Sequence, residues 1–201
     1  MIRTLFVAAL AAVSLSGCAL LASPDPVQLY RFGAVDGASA ATVSEPLEVR
    51  LRSVEFPEAA RGDRLLGITG SEAAYIAGAR WVSPASQLYS TALEGTFGSE
   101  ATAVRLIGRR ELTPVRRMLD VDVRSFETRY DHAGGVPEVV VTVRARMLRF
   151  PERTVVAEQT FSVSRPAGEN RVSAIVAAYE AATREVNSQI VTWTEANAGR
   201  A

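Results

Sequence analysis

Apolar residues run unbroken near the start of the chain and then settle into alternating and helical periods. Residues 5–13 read Leu-Phe-Val-Ala-Ala-Leu-Ala-Ala-Val without a polar face, and Arg3 is the only charge before Asp25. A positive start, a short apolar core and small residues at a processing point describe a secretory signal peptide over residues 1–17. The run is shorter than the ~20 apolar residues a membrane-spanning helix needs. Pro24 and Pro26 then disfavour helix, so residues 18–26 read as a short tether.

Alternation begins at residue 27, where Val27-Gln28-Leu29-Tyr30-Arg31-Phe32 reads as a strand. Residues 33–44 are rich in Gly, Ala and Ser and read as a loop. A second strand over 47–54 sets Leu47, Val49 and Leu51 against Glu48, Arg50 and Arg52, and a third extended segment over 72–81 presents Tyr75, Ala77 and Trp81. The first helix follows: Ser83 caps it, Pro84 suits its first turn, and Ala85, Leu88, Ala92, Leu93 and Phe97 form its apolar stripe up to Gly98. Residues 101–107 resemble a short strand.

Three strands then follow in close succession. Over 118–130, Leu119, Val121 and Val123 oppose Asp120, Asp122 and Arg124, and Phe126 breaks the period, which predicts a bulge near Ser125. A Gly-Gly turn at 134–135 leads to Val139, Val141, Val143, Ala145 and Met147 on one face of the next strand. Past Pro151-Glu152-Arg153 the last strand carries Val155, Ala157, Gln159, Phe161 and Val163 on one face. Such short connections require antiparallel neighbours. A final amphipathic helix over 170–193 places Val172, Ile175, Val176, Tyr179, Val186, Ile190 and Trp193 at three- and four-residue spacings. The expected fold is α+β: a single two-layer domain over 27–193, mainly antiparallel sheet covered by two helices, with 194–201 as a flexible tail.

Composition narrows the function classes. The chain has 201 residues, with 22 Lys+Arg against 22 Asp+Glu. That length suits one domain, and the balanced charge argues against a nucleic-acid binder. One cysteine forms no internal disulfide, and one histidine leaves no material for a zinc site, so no metal or cofactor is expected. His132 lies beside Gly134-Gly135 in a turn, no G-x-S-x-G elbow is present, and catalysis has no positive support. Gly62-Asp63-Arg64-Leu65-Leu66-Gly67 is bounded by glycines but lacks the lysine and helix of a phosphate loop. Asp120 and Asp122 share a strand face, where they would attract a cation or pair with arginines.

Candidate function therefore rests on surfaces. Tyr75 and Trp81 read either as a contact or ligand groove or as core. Arg109-Arg110 and Arg116-Arg117 flank Pro114 and read either as a basic edge for acidic partners or lipid headgroups or as a solvated loop.

Leu15-Ser16-Gly17-Cys18 resembles a bacterial lipobox, and the resemblance implies cleavage after Gly17 and acylation of Cys18, where two or three acyl chains give stable attachment. Ala19 is not the aspartate that retains lipoproteins in the inner membrane, which points to the periplasmic face of the outer membrane.

With the lipobox, an ordered set of marks resembles the ABC-type transport auxiliary lipoproteins. These are Leu29-Tyr30-Arg31-Phe32, then Ala79-Arg80-Trp81-Val82-Ser83-Pro84, then 119–127 (Leu-Asp-Val-Asp-Val-Arg-Ser-Phe-Glu), and the helix reaching Trp193. The resemblance implies a non-catalytic piece that docks or scaffolds an envelope lipid-transport system. Its partners would be an Mce-domain protein, an ABC permease with its ATPase, and outer-membrane lipids through acylated Cys18. A homo-oligomer is compatible with it. The competing expectations are a structural or assembly lipoprotein of the envelope and a periplasmic lipid carrier.

Overall fold

The computed structural model describes residues 27–34, 45–108 and 111–199. The signal peptide, Cys18, the tether and Arg109-Arg110 lie outside the described residues. Eight strands form one sheet: β1 (Gln28–Tyr30), β2 (Leu47–Glu55), β3 (Arg64–Thr69), β4 (Glu72–Trp81), β5 (Val104–Ile107), β6 (Arg117–Tyr130), β7 (Glu138–Arg149) and β8 (Thr154–Pro166). The helices are α1 (Ala85–Glu100) and α2 (Val172–Ala198).

Strand β6 is the spine. Along one edge it pairs antiparallel with β7, which pairs antiparallel with the edge strand β8. Along its other edge the N-terminal half pairs with β2 and the C-terminal half with β3, both parallel. Strands β1/β4 and β2/β5 are parallel as well, and β3/β4 is a hairpin. The sheet is therefore mixed, and the expected mainly antiparallel sheet holds only for β6–β7–β8. Short turns dictate antiparallel pairing, whereas β2 and β3 reach β6 after long excursions through other elements, and such connections permit parallel pairing.

Strand β3 falls between the second and third predicted strands, in a stretch to which the sequence pattern assigns no element. Its hairpin with β4 turns through Gly70-Ser71, where Gly70 has φ 58, a conformation that suits glycine at the first position of a two-residue turn. The expected bulge is present, as β6 shifts register between Val123 and Ser125.

Both helix ends depart from the sequence expectation. Ser83 does not cap α1; Pro84 occupies the cap position without a side-chain bond. Instead Ala85 and Ser86 donate their N–H groups to the carbonyls of Gly62 and Arg61, so a loop backbone satisfies donors that a helix start leaves orphaned. Gly98 lies inside the helix, which runs to Glu100.

Helix α2 continues past Trp193 to Ala198, through residues expected to form a tail, because both sides of its last turns are held. Glu195 accepts the N–H groups of Thr102 and Ala103, each at 2.6 Å, and Arg117 donates to the carbonyl of Ala198 at 3.1 Å. Burial opposes ionisation of Glu195, but the backbone donors outweigh it and hold its carboxyl below the usual range. Glu195→Ala is expected to cost about 1 kcal/mol in urea denaturation, the net loss of bonds to a partly exposed carboxylate.

The helices pack against each other and against the sheet. Val139, Val141, Val143, Ala145 and Met147 of β7 are fully buried beneath Ile175, Tyr179, Ala182, Val186 and Ile190 of α2. Phe126 centres an aromatic cluster, with ring centroids 5.2 Å from Phe32, 5.4 Å from Phe56 and 4.7 Å from Tyr179.

Candidate functional site

The sequence candidates separate into core and surface. Trp81 is 2% exposed and stands edge-on to Tyr179 at 5.3 Å and to Phe32 at 4.9 Å. It belongs to the core, and its reading as a contact surface is corrected. The cause is position: at the end of β4, Trp81 is paired with Tyr30 of β1 and lies under α2. Tyr75 is 38% exposed on the same strand, donates its hydroxyl to the Ala59 carbonyl, and has the Arg64 guanidinium 3.7 Å above its ring. The two residues therefore form no common groove.

Arg116 and Arg117 also part company. Arg117 turns toward the end of α2, whereas Arg116 is exposed. Arg116 sits where three elements end: the start of β6, the end of β7 and the start of β8. The preceding loop is fastened to the sheet by Arg50, which donates to the Thr113 carbonyl and, at 2.7 Å, to that of Glu111. Phe150 donates its N–H to the Arg116 carbonyl at 3.0 Å. So held, the loop presents Leu112, 99% exposed, near Phe150 at 43%.

Val155 joins this end through a register shift. It was expected to face inward with Phe161 and Val163, but β8 slips against β7 between Met147 and Leu148, which pairs Val155 with Leu148 and leaves it 51% exposed. A one-residue slip turns a side chain to the other sheet face. Arg149 and the exposed Arg153 lie in the same corner with Glu111 and Glu152, so this end combines exposed apolar side chains with more guanidinium groups than carboxylates. Sequence reasoning found the arginines and missed Leu112 and Phe150. Their signal was faint: single apolar residues within polar connections.

The sheet face away from the helices carries the two aspartates. Asp120, only 3% exposed, accepts from Arg52 Nε at 2.9 Å, Ser53 Oγ at 2.7 Å and Arg146 at 2.8 Å. Burial alone would raise its pKa, but the hydrogen bonds from Arg52 and Ser53 and the charges of both arginines more than reverse this, holding the carboxyl below its usual range. Asp122 pairs with Arg124 at 2.8 Å and Arg144 at 3.1 Å. Both aspartates are thus answered by arginines, and among the described residues no group of three or more His, Cys, Asp or Glu could hold a metal. His132 is exposed in the 131–135 turn, where its carbonyl accepts the Gly135 N–H. No described helix is long and apolar enough to cross a membrane.

The family described as ABC-type transport auxiliary lipoprotein component matches residues 30–191. Comparison with curated proteins gives no match. Among solved structures, a Xanthomonas campestris protein of the DUF330 family aligns with a TM-score of 0.70 at 23% identity, covering 85% of this chain and 96% of that one. The hypothetical protein CT253 from Chlamydia trachomatis aligns at 0.51 and 10% identity, over 77% and 99% of the two chains. These structures share the fold.

Proposed function

Because the chain belongs to the ABC-type transport auxiliary lipoprotein component family, and so serves an envelope transport system in an auxiliary role, we propose that it docks that system through the end of the sheet built from Leu112, Arg116, Arg149 and Phe150. The reading adds that Cys18 is acylated and holds the domain at the periplasmic face of the outer membrane. The partner is an Mce-domain assembly fed by the permease and ATPase.

The observation that carries it is the direction of β1. Strand β1 is parallel to β4, β4 antiparallel to β3, and β3 parallel to β6. Chain preceding Gln28 therefore leaves toward the end where β6 finishes at Tyr130, opposite the Leu112 corner. The registers set Gln28 level with about Phe126 of β6, roughly 30 Å from its Arg117 end at about 3.3 Å per residue, with β1 running from there toward that end. An anchor at Cys18 thus turns the apolar, arginine-bearing corner away from the membrane and toward a protein. Exposed apolar groups ringed by arginine suit a partner segment that alternates apolar and acidic residues. A lipid carrier instead calls for an apolar cavity, while the cleft between α1 and α2 is lined by Thr96, Glu180 and Asn187.

A photocrosslinking residue at position 112 is expected to capture a transport component in intact cells, while one at position 136, in the opposite turn, is not. Charge reversal at both Arg116→Glu and Arg149→Glu is expected to lower capture about tenfold, which corresponds to 1.4 kcal/mol. Capture from position 136 alone, or capture indifferent to the charge reversal, would refute the docking surface. Mass spectrometry of the N-terminus tests the anchor separately, the expected species being acylated Cys18.

A further inference from the structure

We infer that the free edge of β8 takes an extended segment of the docked transport component as a ninth strand; the inference rests on the docking reading and extends its surface along one side of the sheet. Strand β8 pairs only with β7, so alternate residues turn their main-chain groups away from the sheet. One bond decides which residues these are. Ala167 donates its N–H to the Pro137 carbonyl at 2.9 Å. In the antiparallel register that continues from this pair, Arg165, Val163, Phe161 and Gln159 exchange bonds with β7. The residues between them, Glu158, Thr160, Ser162 and Ser164, present N–H and C=O groups outward. All four are exposed, and among the described residues no other strand pairs with them. The side chains agree with this assignment. Opposite residues that exchange no bonds stand closest, and the hydroxyls of Thr142 and Ser162 meet at 2.8 Å.

Long edges are ordinarily blunted by lysine, proline, a bulge or shortness. Strand β8 is 13 residues long, and its only proline is its last residue. Its register shift is confined to its first turn of chain, opposite Met147 and Leu148. From Gln159 to Ser164 it carries no charge. The side chains that would screen the edge are drawn back over β7: Ser162 to Thr142, Ser164 to Glu138 and Glu158 to Arg144.

The two flanks of the edge define the occupant. Toward the helices, Phe161 and Val163 lie at the border of the core, each 5% exposed, and the Trp193 ring stands 6.2 Å from that of Phe161. The other flank carries Thr160, Ser162 and Ser164. An added strand therefore alternates apolar residues toward α2 with polar ones over the open face. Strand β8 begins at the Leu112 corner, so a partner segment held there continues along it. A second copy of this chain fits less well. Antiparallel pairing of β8 with β8 turns the second domain end for end, which sends the chain before its Gln28 away from the membrane that holds the first. Parallel pairing about a two-fold axis puts the two helix layers on opposite faces and sets the hydroxyl row of one copy beside the apolar flank of the other.

Hydrogen exchange on the ¹⁵N-labelled full chain is expected to alternate, fast at Thr160 and Ser162 and slow at Phe161 and Val163. In intact cells, a photocrosslinking residue at position 162 is expected to capture the same transport component as one at position 112. Thr160→Pro removes an outward N–H and no bond to β7, so it should leave Tm unchanged while lowering capture from position 162 about tenfold and from position 112 less. Thr160→Lys keeps the N–H and places a charge on the edge, and it should lower capture from position 162 in the same direction. Uniform exchange along β8, capture from position 112 without capture from position 162, or capture indifferent to both substitutions overturns strand addition and leaves the docking corner standing. A crosslink from position 162 to a second copy overturns it in favour of self-pairing, and capture from neither position defeats the docking reading as well.

Discussion

Phe126→Ala is expected to lower stability by about 3–5 kcal/mol, the range for emptying a buried aromatic site. Phe126 is 2% exposed, and its ring lies within 7 Å of Phe32, Phe56, Trp81, Tyr89 and Tyr179. Those rings come from the chain after β1, from the chain after β2, from β4, from α1 and from α2. No one element can collapse into the space without dragging another, so the cavity stays open and the cost falls at the upper end. Urea denaturation with unchanged slope is the measurement; a loss below about 1 kcal/mol would mean that the cluster relaxes. Trp81→Ala is expected to behave alike, and Tyr75→Ala, on the exposed part of the same strand, to stay within about 1 kcal/mol of the parent. That pair of variants separates core from surface where the sequence alone left both readings open.

Why the sequence left them open follows from how far each signal reaches. Local periodicity and short turns carry the β6–β7–β8 meander, both helices and the bulge near Ser125, because each depends on neighbours within a few residues. Parallel pairing of β2 and β3 with β6 depends on chain paths of many residues, and no spacing within β2 encodes it. The same limit governs the surfaces. Arg116 and Arg117 are adjacent and chemically identical, yet one is exposed and the other reaches the carbonyl of Ala198, more than eighty positions later. Leu112 and Phe150 become a patch only because β6 and β7 pair in a register that sets Arg117 opposite Arg149. Trp81 reads equally as contact or as core within β4, and what decides for core is Tyr179 of α2, nearly a hundred residues later.

Asp120→Asn is expected to cost about 2–3 kcal/mol at neutral pH, below the ~3–5 kcal/mol of a fully buried broken pair, because its arginines are partly wet. Asp120 is 4% exposed at its side chain, against 40% for Arg52 and 28% for Arg146. The carboxylate joins β2, β6 and β7 across the face that no helix covers, and the amide that replaces it keeps the shape while removing the charge that answers two guanidinium groups. The pH dependence gives a second reading of the same interaction. With its folded-state pKa held below the unfolded value, the carboxyl contributes stability that is present in full above about pH 4 and is lost as pH falls through the folded value. The parent should therefore weaken toward the variant on acidification, and the gap between them should shrink below about pH 4. Glu195, whose carboxyl is also held low, weakens both proteins equally and drops out of the difference. A gap that stayed constant between neutral and strongly acidic pH would show that the cost lies in packing rather than in charge. By contrast Asp63→Asn, which breaks the half-exposed pair with Arg80, is expected to change stability by less than about 1 kcal/mol at any pH. The difference between the two substitutions measures what burial, a second arginine and Ser53 add at Asp120 to a single exposed ion pair.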